Sequence, residues 1–163
     1  MKSPGGVTID ELEALYRRGF NAFLRVATAI AGDQEAGCDA VQSAFVSALR
    51  NRRSFRREGS LEGWLWTIVV REARRAAPIA HGSIDDAAQL AAANGAGGED
   101  SDGVRRFIVS LPPRQREAVF LRYFADLDYR TIARVLGVEP GTVSATLSTA
   151  HQTLRKRLEA RAR

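Results

Sequence analysis

Two stretches of this chain carry side chains that could act on another molecule, and both suit a polyanion. In the first, Arg50, Arg52, Arg53, Arg56 and Arg57 surround Phe55. Arginines interleaved with an aromatic suit single-stranded nucleic acid, because the cations follow the phosphates while a ring stacks on an unpaired base. A merely solvated charge run is the competing reading of that stretch. In the second, Pro140 and Gly141 open a segment bearing Thr142, Ser144, Ala145, Thr146, Ser148 and Thr149, followed by Arg155, Lys156 and Arg157. Short hydroxyl side chains can bond base edges or phosphates, and the threonine methyl can touch thymine.

Covalent chemistry finds no comparable support. Cys38 is the one cysteine, so no internal disulfide forms, and with only His81 and His151 beside it no zinc site of the usual ligand count can be assembled. No phosphate-cradling glycine loop and no Ser/His/Asp spacing is present, and GEDSDG near residue 100 matches no calcium loop. The expectation is a binding protein that is not an enzyme and carries no cofactor or metal.

The elements that must position these residues read as helices. Leu111–Leu158 contains three of them, and the last two form a helix-turn-helix. Asp128 is placed as an N-cap for a short helix with Ile132, Ala133 and Leu136 inward. Gly137 falls where a left-handed C-cap is needed, and Pro140 falls at a first helical position. The long helix after it puts Val143, Leu147, Ala150, Leu154 and Leu158 on one face. Two helices across a tight glycine turn are the geometry that offers a second helix to the DNA major groove; an ordinary helical hairpin is the alternative. Upstream, 104–111 reads as a short amphipathic helix. The helix after Pro113 points Ala118, Val119, Leu121, Phe124 and Leu127 inward and Arg114, Arg116 and Arg122 outward.

The N-terminal half begins with a loose tail through Val7. Thr8 and Glu11 then form a capping box for a helix burying Leu12, Leu15, Tyr16, Phe20, Phe23, Leu24, Ala27 and Ile30. Gly32 ends that helix and Asp33 caps the next, over 34–52, with Val41, Phe45, Ala48 and Leu49 inward. Ser60 caps a third helix ending in Arg71, Arg74 and Arg75. Trp64, Leu65 and Ile68 share its core face, whereas Trp66 lies about 160° around the wheel from Trp64 and is expected to be exposed.

Charge divides the chain. Residues 1–76 carry twelve basic and nine acidic residues, 77–103 carry five acids and no Lys or Arg, and 104–163 carry twelve basic and five acidic. Two basic blocks therefore flank an acidic connector, which points to polyanion binding by the blocks. A connector of this length is long for an intradomain loop, and as a flexible coil it would span about 30 Å. The organisation is two small all-helical domains, 8–76 and 104–163, joined by a flexible acidic linker at 77–103. Hydrophobic residues form 45% of the chain, enough for packed cores. No N-terminal apolar run suits a signal peptide or membrane span, so a cytoplasmic protein with no membrane partner is expected.

These features together resemble a bacterial RNA polymerase sigma factor of the extracytoplasmic-function type, in the sigma-70 family. The region 4 pattern is matched by Leu111, Pro112, Arg116, Glu117, Leu127, Tyr129, Ile132, Ala133, Leu136, Gly137, Val138, Gly141, Thr142 and Val143. The region 2 patterns appear as Asp39, Val41, Gln42 and Phe45, and as Trp64, Leu65 and Ile68 with Arg71 following. The resemblance implies that Asp39, Gln42 and Phe45 dock on the clamp of the largest subunits of core RNA polymerase. It implies that Arg53, Phe55, Arg56, Trp66, Arg71, Arg74 and Arg75 hold the −10 element as the strands separate. The −35 element would be read by Arg130, Thr142, Ser144, Ala145, Thr146, Ser148, Thr149, Arg155 and Lys156. It further implies an anti-sigma protein as a conditional partner and a relative domain placement that depends on what is bound.

The chain departs from the family pattern in ways that bear on promoter reading. Family members usually carry several Lys or Arg residues along the recognition helix, whereas here that face is neutral and His151 stands where a basic residue is common. Each missing phosphate neutralisation flattens the log–log salt dependence by about 0.9. The contact would then be weak or shifted to Arg130, Arg134, Arg155, Lys156 and Arg157. Ser43 replaces a common Glu, and Glu72 a common Asn. The alternative function is a sigma-like interaction protein that binds polymerase or a regulator with weakened promoter reading.

Overall fold

The computed structural model describes residues 5–77 and 106–162, and among them all regular structure is helical. Helix α1 spans Ile9–Ala31, α2 Gln34–Asn51 and α3 Leu61–Ala76, with a single 3-10 turn at Arg52–Ser54. After a helical turn at 106–109 come α4 (Pro113–Tyr123), α5 (Tyr129–Leu136) and α6 (Pro140–Arg161). The expected connector lies, from residue 78 on, outside the described residues.

Local chemistry sets the ends of these helices. The Thr8 N–H donates to Glu11 Oε2 at 2.8 Å and the Glu11 N–H to Thr8 Oγ1 at 3.2 Å, so two donors that a helix start leaves open are satisfied. Gly32 ends α1 at φ +108°, where any other residue would strain. Asp33 accepts from Ala36 N–H at 2.8 Å and Ser60 from Gly63 N–H at 3.0 Å, starting α2 and α3.

The first three helices close a bundle around Leu12, Phe23, Val26, Val41, Ala44, Leu65 and Val69. Where α1 and α2 cross, Gly37 meets the backbone of Thr28: a Cβ there would lie 2.7 Å from Thr28 N and Cα. A methyl at Gly37 must push two helices apart, so Gly37→Ala will destabilise the protein by about 1–3 kcal/mol. Thermal unfolding of the full chain checks this; an unchanged midpoint would mean the crossing yields easily.

Several burial expectations are corrected by the packing. Trp66 is 1% exposed, not outward, and its ring lies 4.5 Å from Phe23. The reason is that α3 is central, packed against α1 and α2 on one side and α5 on another, so Gly63, Leu65, Trp66, Ile68, Val69, Val70 and Ala73 are all buried. For the same reason Val135 of α5 is buried while Leu136 is only half-buried. Tyr16 and Leu49, expected inside, sit at the bundle rim; Tyr16 keeps an edge-on contact with Phe45 at 4.7 Å. Leu158 is exposed, lying beyond the last buried residue of its face, Ala150. The two halves also touch: α3 packs on α5 and α1 on α4.

Candidate nucleic-acid interface

The helix-turn-helix forms as its caps dictate. Asp128 Oδ1 accepts from the Thr131 N–H at 2.7 Å and starts α5; Gly137 turns the chain at φ +70°; Val138 N–H returns to Ala133 O at 2.9 Å. The Thr131 N–H holds the Asp128 carboxyl below its ordinary range. A lowered folded-state value means this cap stabilises fully above the unfolded carboxyl range and is lost as pH falls through the lower, folded value. Asp128→Asn keeps a capping oxygen but cannot titrate, so its acid-unfolding curve will be flatter than that of the unaltered protein. Identical acid profiles would show that Asp128 contributes nothing to acid sensitivity.

On α6, Val143, Leu147 and Ala150 are buried, which turns Thr142, Ser144, Ala145, Ser148 and Thr149 outward and leaves Thr146 half-buried. Thr149 Oγ1 donates to Ala145 O at 3.0 Å, so its hydroxyl faces a partner as an acceptor. Across a cleft of about 840 Å³ from Thr142, Ala145, Thr146 and Thr149 lie Pro112, Pro113, Arg114 and Gln115 at the start of α4. Arg130, Arg155 and Lys156 are exposed.

Other arginines of this half prove structural. Arg116 donates to Val109 O at 2.8 Å, and its burial lowers the pKa of the guanidinium. Arg122 reaches Leu127 O at 3.3 Å, and Arg157 turns back to Phe107 O at 3.4 Å and Ser110 Oγ. Arg116 and Arg122 are therefore not simply outward, and Arg157 is engaged away from the recognition face. Arg114 is absent from the −35 residues that the sequence suggests, as Trp64 is from the −10 residues. It faces the recognition helix from another helix, a juxtaposition no local pattern reveals.

The N-terminal candidates divide into three groups. Asp39, Gln42, Ser43 and Val46 stand exposed on α2 and, with Ser47, Arg50, Asn51, Glu72 and Arg75, line a groove of about 690 Å³. Arg71 and Arg75 both lie on Glu72 at 3.4 Å in this region, and Arg71 reaches Ser47 Oγ. Phe45 is buried beside Phe23 and presents no surface for docking. A second group surrounds a smaller cavity of about 230 Å³, where Arg56, Trp64 and Thr67 meet. Arg56 is exposed there and Arg53 is exposed outside the cavity lining, but Phe55 is 5% exposed and supports Trp64 at a ring distance of 5.3 Å. Phe55 and Trp66 thus cannot stack on a base in this arrangement; half-buried Trp64 is the ring at that surface. Third, Arg74 points the other way, bidentate on Glu117 of α4.

Comparison with known proteins agrees with this architecture. Residues 15–77 match sigma-70 region 2 and residues 101–154 match sigma-70 region 4. The chain is 31% identical over 150 residues to the ECF RNA polymerase sigma factor SigM of Mycobacterium tuberculosis, covering 90% of this chain and 76% of that one. The chain belongs to the extracytoplasmic-function sigma factors. It is also 28% identical over 164 residues to the RNA polymerase sigma factor YlaC of Bacillus subtilis, covering 91% and 92% of the two chains. Among solved structures, its fold is similar to CnrH in complex with the cytosolic domain of CnrY (TM-score 0.72, 20% identity, 94% of this chain and 90% of that one). It is also similar to the sigma factor RpoE in complex with the anti-sigma factor NepR from Bartonella quintana (TM-score 0.66, 20% identity, 90% and 98%). As a sigma factor, the chain binds core RNA polymerase and directs it to promoters.

Proposed function

We propose that this sigma factor divides promoter recognition between its two halves. Residues 8–76 bind polymerase through the exposed Asp39 and Gln42 face of α2, and hold the melted −10 strand through Arg53, Arg56 and Trp64. Residues 104–163 read the −35 element with Thr142, Ser144, Ala145, Ser148 and Thr149, while Arg114, Arg130, Arg155 and Lys156 meet phosphates. The observation that carries this reading is the outward set of α6 opposite its buried Val143–Leu147–Ala150 stripe, which leaves a helix face free for the major groove. The protein acts by binding energy rather than by covalent catalysis, in the cytoplasm where its polymerase works. Among the described residues no group of His, Cys, Asp and Glu could hold a metal, and no helix is long and apolar enough to cross a membrane. An anti-sigma protein is its conditional partner; the complexes of CnrH with CnrY and RpoE with NepR support that part of the reading.

In vitro transcription on genomic DNA with purified core polymerase, with and without this protein, tests the proposal by sequencing RNA 5′ ends. New start sites sharing upstream motifs at two spacings are the expected result. Co-purification with core but no new starts would favour the second reading, a sigma-like polymerase binder. The uncharged recognition helix is the observation on that side.

A further inference from the structure

We propose that Gly6–Glu11 is a positioning element for the strand-binding loop. Val7 and Glu11 grip the α2–α3 connection at Arg52 and Arg57, and so hold Arg53 and Arg56, between those two points, in one arrangement before a single strand arrives. The role in strand binding rests on the assignment of Arg53 and Arg56 to the melted −10 strand; the grip on the loop does not.

Local sequence presents Gly6 and Val7 as the end of a loose tail, but both are buried. The Val7 N–H donates to Arg52 O at 2.8 Å, tying this segment to the turn Arg52–Ser54. Gly6 lies so close to the turn that a Cβ would stand 3.2 Å from Arg52 O and from Arg53 Cα. At the other end of the connection, Arg57 Nη2 donates to both carboxylate oxygens of Glu11 at 3.2 Å. The same carboxylate accepts from the Thr8 N–H at 2.8 Å in the capping box, so one side chain joins the start of α1 to the loop. Arg57 stands at φ +56°, in the left-handed region where a residue with a Cβ is uncommon and must be kept by its surroundings. Ser54 Oγ closes the turn on Asn51 O at 2.7 Å, and Phe55 is buried against Trp64. Arg53 and Arg56 are left exposed between these anchors.

Stability does not account for the ion pair. Both side chains are more than a third exposed, and a pair so open to water adds little to folding. What it changes is the freedom of the loop. The Thr8 N–H and the Arg57 guanidinium hold the Glu11 carboxyl below its ordinary range, so the anchor is charged at neutral pH. An unanchored loop would lose conformational entropy on meeting a strand, and that loss is subtracted from the binding free energy. Charge alone acts the other way: an acid beside the strand-binding loop repels phosphate, so its removal would strengthen binding. The two effects of Glu11 have opposite signs, and one substitution separates them.

That substitution is Glu11→Gln, because glutamine still caps α1 but offers Arg57 no charge. Holoenzyme assembled from core polymerase and the full chain is titrated with a labelled twelve-nucleotide single strand bearing the −10 motif of the mapped start sites, with core alone as the blank. Glu11→Gln should weaken binding about fivefold, although it removes a negative charge. Arg57→Gln should weaken it by the same factor, and the double variant by no more than either, as expected where one residue acts through the other. In the free chain carrying Trp66→Phe, Trp64 is the only tryptophan. Glu11→Gln should there raise quenching of Trp64 by acrylamide about twofold while circular dichroism shows unchanged helicity. Unchanged quenching overturns the grip on the loop. If Arg53→Gln with Arg56→Gln loses strand binding while Glu11→Gln leaves it equal or tighter, the positioning role is overturned. A loss confined to Arg57→Gln overturns it too, and marks Arg57 as a direct phosphate contact. If Arg53→Gln with Arg56→Gln binds as before while quenching rises in Glu11→Gln, the strand assignment falls and the grip stands.

Discussion

Trp66→Ala will destabilise the N-terminal bundle by about 3–5 kcal/mol, the range for deleting a large buried aromatic. The ring is 1% exposed and lies against Phe23, which also meets Phe45 edge-on, so its removal opens a hole where three helices meet. Trp66→Phe will cost much less. It keeps an aromatic on Phe23 and removes the indole N–H, which is buried without a hydrogen-bond partner. Trp64→Ala, two residues away, will cost less stability than Trp66→Ala, because that ring is only half-buried, packed against Phe55 at the edge of the core. Urea unfolding of the three variants followed by circular dichroism gives the comparison. Equal losses at positions 64 and 66 would contradict the division of the two tryptophans between surface and core.

Charging the recognition helix should strengthen DNA binding and make it visibly more salt-dependent. Ser148 and Thr149 are exposed and adjacent, and neither supports the core, so arginine at both positions leaves the fold intact. If each new side chain neutralises one phosphate, the slope of log K against log salt steepens by about 1.8. Over a fourfold rise in salt the double variant then loses about tenfold more affinity than the unaltered protein. Fluorescence anisotropy on a promoter fragment across that range measures it. An unchanged slope would mean that this face of α6 does not approach the DNA backbone. The result also tells whether the uncharged helix or Arg114 across the cleft limits binding, since Arg114→Ala would flatten the slope by about 0.9 if it contacts one phosphate.

What could be read from the sequence was whatever chemistry acts over a few residues. The capping box at Thr8 and Glu11, the caps at Asp33, Ser60 and Asp128, the glycine turn at Gly137 and the proline start of α6 all depend on near neighbours, and all are present. Residues whose surroundings come from distant segments were misread. A helical wheel gives the angle of Trp66 but not that α3 has neighbours on nearly all sides. It likewise gives Arg74 and Arg157 as surface cations, without the Glu117 carboxylate or the Phe107 carbonyl that the fold brings to them. Phe55 sits in a pattern associated with a binding surface, yet its ring packs inward; Phe45 is inward as its helix spacing indicates, and it is the docking role implied by the family resemblance that its burial excludes. For the candidate site, then, the helices and their exposed polar faces were legible, and the choice among neighbouring side chains was not.

Arg157 ties the distal part of α6 to the segment at Phe107 and Ser110, while the Gly137 turn fixes its beginning. The reading helix is therefore supported at two points, as a beam on two piers rather than a rod fixed at one end. Such a mount limits tilting of α6 before it meets a groove, so little orientational freedom remains to be lost on docking. A helix short of charge gains from this rigidity, because its few hydroxyl contacts are already aligned when they arrive.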